Sequence, residues 1–204
     1  MLDYLERRRQ LRQLQDDAIS AGRLPPGQSL TQKWPVLQAG GVPRVDLATW
    51  RFTLNGLVDG PRELSWEEFA ALPRITSHSD IHCVTRWSKL DNTWSGPSAQ
   101  TVLDLVAIDP SARFVRIQAP GYTANLPLDA LLDDDVLFAM EHDGSPLTPE
   151  HGYPLRLVVP KRYFWKSVKW VTGVEFVARD EPGYWEVRGY HNEGDPFREE
   201  RFSY

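Results

Sequence analysis

The chain has 204 residues, which at roughly 100–200 residues per domain allows one large domain or two small ones, and one is the simpler reading. Its 41% hydrophobic and 25% charged residues lie near the ordinary globular mixture of about 45–50% and about 25%, which excludes a disordered tail or a fibrous repeat. With 23 Lys and Arg against 28 Asp and Glu the formal net charge is −5, so broad adhesion to nucleic acid or anionic lipid is not expected, although a local basic pocket stays open.

Leu2, Leu5, Leu11, Leu14 and Ala18 recur at helical spacing among Arg, Gln and Asp, which predicts an N-terminal helix over residues 1–21 packing on a core of residues 22–204. The Arg7-Arg8-Arg9 cluster is followed by polar residues rather than an apolar run, so no export signal is read and a cytoplasmic location is expected. Nowhere does the chain approach about 18 consecutive apolar residues, so no membrane span is expected. Pro25-Pro26-Gly27, Gly40-Gly41 and Pro43 predict an irregular segment, and Trp34-Pro35-Val36-Leu37 within it is apolar enough to lie against the body.

Trp50–Val58 reads as a strand, and Ser65-Trp66-Glu67-Glu68 has the spacing of a capping box opening a short helix to about Leu72. Arg74–Val84 reads as extended, and Ser98–Ala107 as a second short helix. Phe114–Gln118, Val136–Glu141 before the Asp143-Gly144 turn, Leu155–Val159 and Val168–Val177 are strand candidates. Many short strands, few helices and no β-α alternation predict a single mixed, sheet-rich α+β domain.

The lone cysteine, Cys83, cannot form an intrachain disulfide. It sits where an extended segment gives way to a loop, with His82 and Arg86 nearby to favour the thiolate that binds soft metals. The alternative is a small buried apolar residue. Between His151 and Val174 the chain carries Arg156, Lys161, Arg162, Lys166 and Lys169 with no Asp or Glu, which predicts either a solvated basic face or an anion pocket suited to phosphate. Five interleaved aromatic residues favour the pocket. A zinc site on His78, His82 and Cys83 is a weaker alternative because no second cysteine supports it. Asp133-Asp134-Asp135 reads as a solvated loop.

Taken in order, His82-Cys83-Val84-Thr85-Arg86-Trp87-Ser88, His151-Gly152-Tyr153-Pro154-Leu155-Arg156 and Lys166-Ser167-Val168-Lys169-Trp170 resemble the sulfite-oxidase-like molybdopterin oxidoreductases. The resemblance covers roughly residues 33–177 and implies that fold and molybdenum with molybdopterin as cofactor. It implies Cys83 as the metal ligand and His151, Arg156, Ser167, Val168 and Lys169 as cofactor contacts. Arg86 is the expected catalytic partner, polarising a substrate oxo group. Trp34, Tyr190 and His191 are placed near the pterin or metal without assigned roles. Sulfite oxidases carry an arginine pair four and five residues beyond the metal cysteine, where this chain has Trp87 and Ser88, so sulfite is less expected than a sulfoxide or N-oxide. The implied activity is two-electron oxygen-atom transfer on a small-molecule substrate. With little chain beyond the core, a separate electron donor or acceptor protein is expected. A binding module that holds a phosphorylated ligand or the pterin without turnover is the alternative, and it leaves Cys83 without a role.

Overall fold

Two five-stranded sheets, whose strands interleave along the chain, set the architecture of the computed structural model, which describes residues 2–203 and side chains from residue 6 onward. The first sheet has the order Arg62–Ser65, Arg51–Gly56, Gly173–Val177, Phe114–Ala119, Tyr122–Pro127. Only the Gly173–Val177 and Arg51–Gly56 pair is parallel. Alternation drives its burial: Phe52 and Leu54, Val115 and Ile117, and Val174 and Phe176 all face inward with essentially no exposure, as a period of two requires. Phe52, Phe69 and Phe138 meet there, with ring centroids 4.8 to 6.1 Å apart. Each fully buried large apolar side chain contributes about 1.5–3 kcal/mol by area removed from water.

The second sheet centres on a hairpin of Ile75–His82 and Trp87–Gly96. Ser29–Leu30 adds parallel to its second strand, and Glu141–His142 adds antiparallel on the same strand. Trp94, Ile81, Leu137, Ala139 and Val158 form a second buried cluster beside this hairpin, with Trp34, Trp87, Tyr153 and Phe164 packed on it. That cluster floors the pocket described below.

The capping box at Ser65 and Glu68 is present, and the helix it opens is short, Trp66–Ala70. The second predicted helix shrinks to Ala99–Leu103, capped by the Ser98 hydroxyl on Thr101 N. Leu155–Val159 narrows to Arg156–Val158. The predicted strand over Val168–Val177 begins only at Gly173. Residues 166–170 turn instead: Val168 N donates to Lys166 O at 3.1 Å and Trp170 sits at φ 56. The mixed, sheet-rich α+β class stands.

The N-terminal helix spans Leu2–Ser20. Of its apolar positions, Ala18 is buried while Leu11 and Leu14 are exposed, and Gln15 Oε1 accepts from Leu30 N. Leu2 and Leu5 lie outside the described side chains. No helix among the described residues is long and apolar enough to cross a membrane.

Candidate active site

The hairpin turns at Cys83. Cys83 N donates to Trp87 O at 2.8 Å and Arg86 N to Cys83 O at 3.0 Å, a tight turn closed by Arg86 at φ 73. Cys83 is 7% exposed, yet its side chain lies on the wall of a cavity of about 270 Å³. Burial pushes its thiol up, partly opposed by the Thr85 hydroxyl at 3.1 Å from Sγ. The unliganded sulfur is therefore held as a thiol, and a metal that takes it as thiolate releases a proton.

The same cavity brings together His151, Arg156, Ser167, Val168 and Lys169 from the later basic interval, and Trp34 from the irregular segment. His151 ends a short 3-10 turn, Pro149–His151, and is followed by Gly152 at φ 112. A Cβ at Gly152 would meet Lys169 Cα at 3.2 Å and Arg156 Cβ at 3.1 Å, so only glycine lets these backbones approach. The His151 ring stacks on Trp34 at 3.8 Å between centroids, its Nδ1 bonded to the Thr148 hydroxyl at 2.9 Å. Burial lowers its pKa, so the ring is neutral at physiological pH.

Arg156 is the electrostatic anomaly of the site. It is 1% exposed, and its guanidinium donates to His151 O at 2.9 Å and Ser167 O at 2.8 Å over the Phe164 ring at 4.2 Å. Its Nε is buried with no partner, and burial depresses its pKa to about 9. Lys169 is depressed to about 8, first by burial and then by the Arg156 charge, while its Nζ donates to the Glu150 carbonyl at 2.6 Å. The other three cations of the interval have carboxylate partners: Lys161 with Asp133, Arg162 with Glu193, and Lys166 with Glu186. Only Arg156 and Lys169 turn to the cavity, and no Asp or Glu is among the described residues that line it. Such a cavity attracts an anion, whose charge would restore both depressed cations.

Ser167 contributes through its backbone carbonyl to Arg156, while its hydroxyl is taken by Val159 N at 2.9 Å. Arg86, expected beside the substrate, is exposed and does not line the cavity. The positive φ of the turn carries its Nη1 to the neighbourhood of Gly27. His78 bonds Thr93 on the exposed side of the hairpin. His82 lines a different cleft, bonded to the buried Ser88 hydroxyl at 2.8 Å. These two histidines do not converge on Cys83, and the described residues hold no group of three potential metal ligands. Pro120, Tyr122, Trp165, Trp185 and Tyr190 also line the cavity. Of these, Tyr190 was singled out from sequence and Trp165 was counted among the five aromatic residues of the basic interval; Pro120, Tyr122 and Trp185 come from separate segments with no shared local pattern.

A soft sulfur, cations with no carboxylate partner and flanking indole and imidazole rings match a metal bound to a planar, phosphate-bearing organic ligand. Residues 39–185 match the model of the oxidoreductase molybdopterin binding domain. The chain belongs to that family. Its cofactor is molybdenum with molybdopterin, and it is an oxidoreductase. The chain is 47% identical over 186 residues to the uncharacterized oxidoreductase YuiH of Bacillus subtilis, covering 90% of this chain and 94% of that one. It is 29% identical to sulfite oxidase of Arabidopsis thaliana, over 74% of this chain and 48% of the enzyme. It is 31% identical to a putative protein-methionine-sulfoxide reductase subunit, YedZ1, of Azospira oryzae, over 74% of this chain and 57% of that subunit. The chain thus spans nearly all of the Bacillus relative and about half of the other two. The fold is shared with the sulfane dehydrogenase SoxCD of Paracoccus pantotrophus at TM-score 0.63 and 22% identity, over 69% of this chain and 41% of that one.

Proposed function

We propose that this domain transfers an oxygen atom to or from a small neutral oxo compound of the sulfoxide or N-oxide type, with Cys83 as the protein ligand to the metal. The observation that carries it is the single cavity in which Cys83 meets Arg156 and Lys169 with no carboxylate on its walls. When bound, the cofactor supplies the two-electron couple and the site of oxygen transfer. Arg156 and Lys169 neutralise its anionic tail, and His151 and Trp34 offer stacked ring faces along its wall. The aromatic walls at Trp165, Trp185 and Tyr190 exclude water, which strengthens every charge interaction inside. Trp87 and Ser88 put no cation next to Cys83, and Ser88 is buried on His82, which supports a neutral substrate over sulfite. The names of the relatives, a sulfite oxidase and a sulfoxide reductase subunit, are consistent with transfer of oxygen at sulfur.

Electrons pass to or from a separate protein, and a chain with one cysteine, whose fold therefore rests on no intrachain disulfide, suits the reducing cytoplasm. The N-terminal segment, residues 1–21, which carries the helix Leu2–Ser20, is an appendage to a functional unit of residues 22–204. Protein produced in a host that makes the pterin tests this reading. Molybdenum near one per chain is expected, lost in Cys83→Ser; metal spectra unchanged in that variant would refute ligation by Cys83, and turnover of sulfite but of no sulfoxide or N-oxide would refute the substrate class.

A further inference from the structure

The turn that offers the Cys83 sulfur is restrained from outside by both ends of the chain. Gln28 Nε2 donates to Cys83 O at 3.0 Å. Arg201 Nη1 donates to Val84 O at 2.6 Å and its Nη2 to Pro26 O at 3.3 Å. Both side chains are 6% exposed, and neither lines the cavity. The Arg201 guanidinium lies 5.0 Å from the centroid of the Tyr163 ring, and the nearest carboxylate oxygen paired with it, Glu199 Oε1, is 3.8 Å away on a half-exposed side chain. A buried cation is thus spent on two peptide carbonyls, one of them directly after the sulfur-bearing residue. A fork of rigid donors suits this bridging task, since a lysine cannot span both carbonyls at once.

We infer that Gln28 and Arg201 are positioning residues that clamp the Cys83–Val84 peptides and so fix where the Cys83 sulfur stands in the cavity. This rests on the reading of Cys83 as metal ligand. Both residues fall outside the segment matched by the family model, residues 39–185, so the clamp is an addition by the flanking segments of this chain. The turn has backbone bonds of its own, Cys83 N to Trp87 O, Arg86 N to Cys83 O and Ser29 N to Arg86 O, but Arg86 within it occupies a positive φ that a long side chain adopts only at a cost, which the two side-chain arms help to offset. A fixed cation one peptide from the sulfur also offsets the negative charge that a metal-bound thiolate carries.

Amide hydrogen exchange on the cofactor-free protein separates clamp from scaffold. In Arg201→Met, amides of residues 83–87 are expected to exchange at least about tenfold faster, the scale for losing a charged hydrogen bond to a buried carbonyl. The Phe114–Ala119 strand keeps its protection. In the metal-loaded protein the sulfur-to-metal charge-transfer band shifts, and Arg201→Lys restores part of the shift. Unchanged exchange at 83–87, or equal acceleration in every strand, overturns the clamp. If Arg201→Met does not fold, Gln28→Met, which removes the other arm, is read in the same way. Cys83→Ser serves as the reference: a charge-transfer band that survives in it refutes the ligand assignment, whereas a band lost in it but unmoved in Arg201→Met refutes only the clamp.

Discussion

Arg156 and Lys166 are both buried cations, 1% and 0% exposed, but they differ in what they face, and that difference is measurable. Lys166 Nζ contacts Glu186 Oε1 at 2.7 Å and donates to Asn125 O at 2.8 Å. Replacing it in Lys166→Met leaves the Glu186 carboxylate buried and unpaired, a change that costs about 3–5 kcal/mol. Arg156 has only carbonyl partners. Its depression from the ordinary guanidinium range to about 9 corresponds to about 5 kcal/mol of unfavourable burial, an order-of-magnitude figure. Arg156→Met removes that cost and orphans two carbonyls at about 1–3 kcal/mol each. The two effects nearly cancel, so the cofactor-free variant should lose less than about 2 kcal/mol. Urea denaturation of both variants, with equal m-values as the check on two-state unfolding, measures the contrast. The cofactor-loaded protein behaves differently, because Arg156→Met should retain far less molybdenum than wild type. Equal losses of stability in the two cofactor-free variants would show that Arg156 holds the fold together and is not kept for a ligand.

Further outcomes follow from the same geometry. Lys169, with a folded pKa near 8, is charged below that pH, so pyrophosphate binding to the cofactor-free protein should be full below about pH 8 and fall as the pH rises through it. Lys169→Met should flatten that profile, and equal affinity of the wild type at pH 7 and 9, by calorimetry, would contradict the assignment. His142 is lowered to about 4, chiefly by burial and further by Lys89, Arg156 and His151, with Asp143 opposing. The unfolded chain therefore binds more protons between about pH 6.5 and 4, and stability present above that window is lost as the pH falls through it. His142→Asn should reduce this limb in thermal melts, the remainder coming from His82, which burial also lowers to about 4. Gly152→Ala forces a side chain onto the Lys169 backbone at positive φ and should lower the melting temperature and the molybdenum content together.

Much of the site was legible because it follows from local chemistry. Cys83 falls at a strand-to-turn junction that its neighbours announce, and the basic interval from His151 to Val174 stands out in an acidic chain. Which cations serve the cavity was not legible, since Asp133, Glu186 and Glu193, which neutralise three of them, lie far along the chain. Arg86 was assigned by proximity in sequence, but the backbone of a tight turn can send adjacent side chains to opposite sides. The ten-residue strand Trp87–Gly96 escaped notice because its buried positions are Ser88, Asn92, Trp94 and Gly96. The buried polar side chains Ser88 and Asn92 are satisfied inside the fold: Ser88 bonds His82, and Asn92 donates to Ser79 O and Lys89 O. A period of two carried by such residues leaves no hydrophobic signature. Gln28 and Arg201 left none either, because their partners are backbone carbonyls, which every residue has.

The electrostatics of the cavity thus come from subtraction. A chain with net charge −5 makes a cationic pocket by keeping the carboxylates of the described residues off its walls and pairing the surplus cations elsewhere. Burial then holds Arg156 and Lys169 in a state they leave when an anion arrives, so part of the binding energy is stored as desolvation in the empty fold. The cation behind the Cys83 turn, Arg201, is arranged in the same way, bonded to carbonyls and set at 3.8 Å from the half-exposed Glu199 carboxylate. Arg156→Met, which costs the cofactor-free protein little, should therefore weaken anion binding far more than it changes folding stability, because the buried charge it removes is held for the ligand and not for the fold.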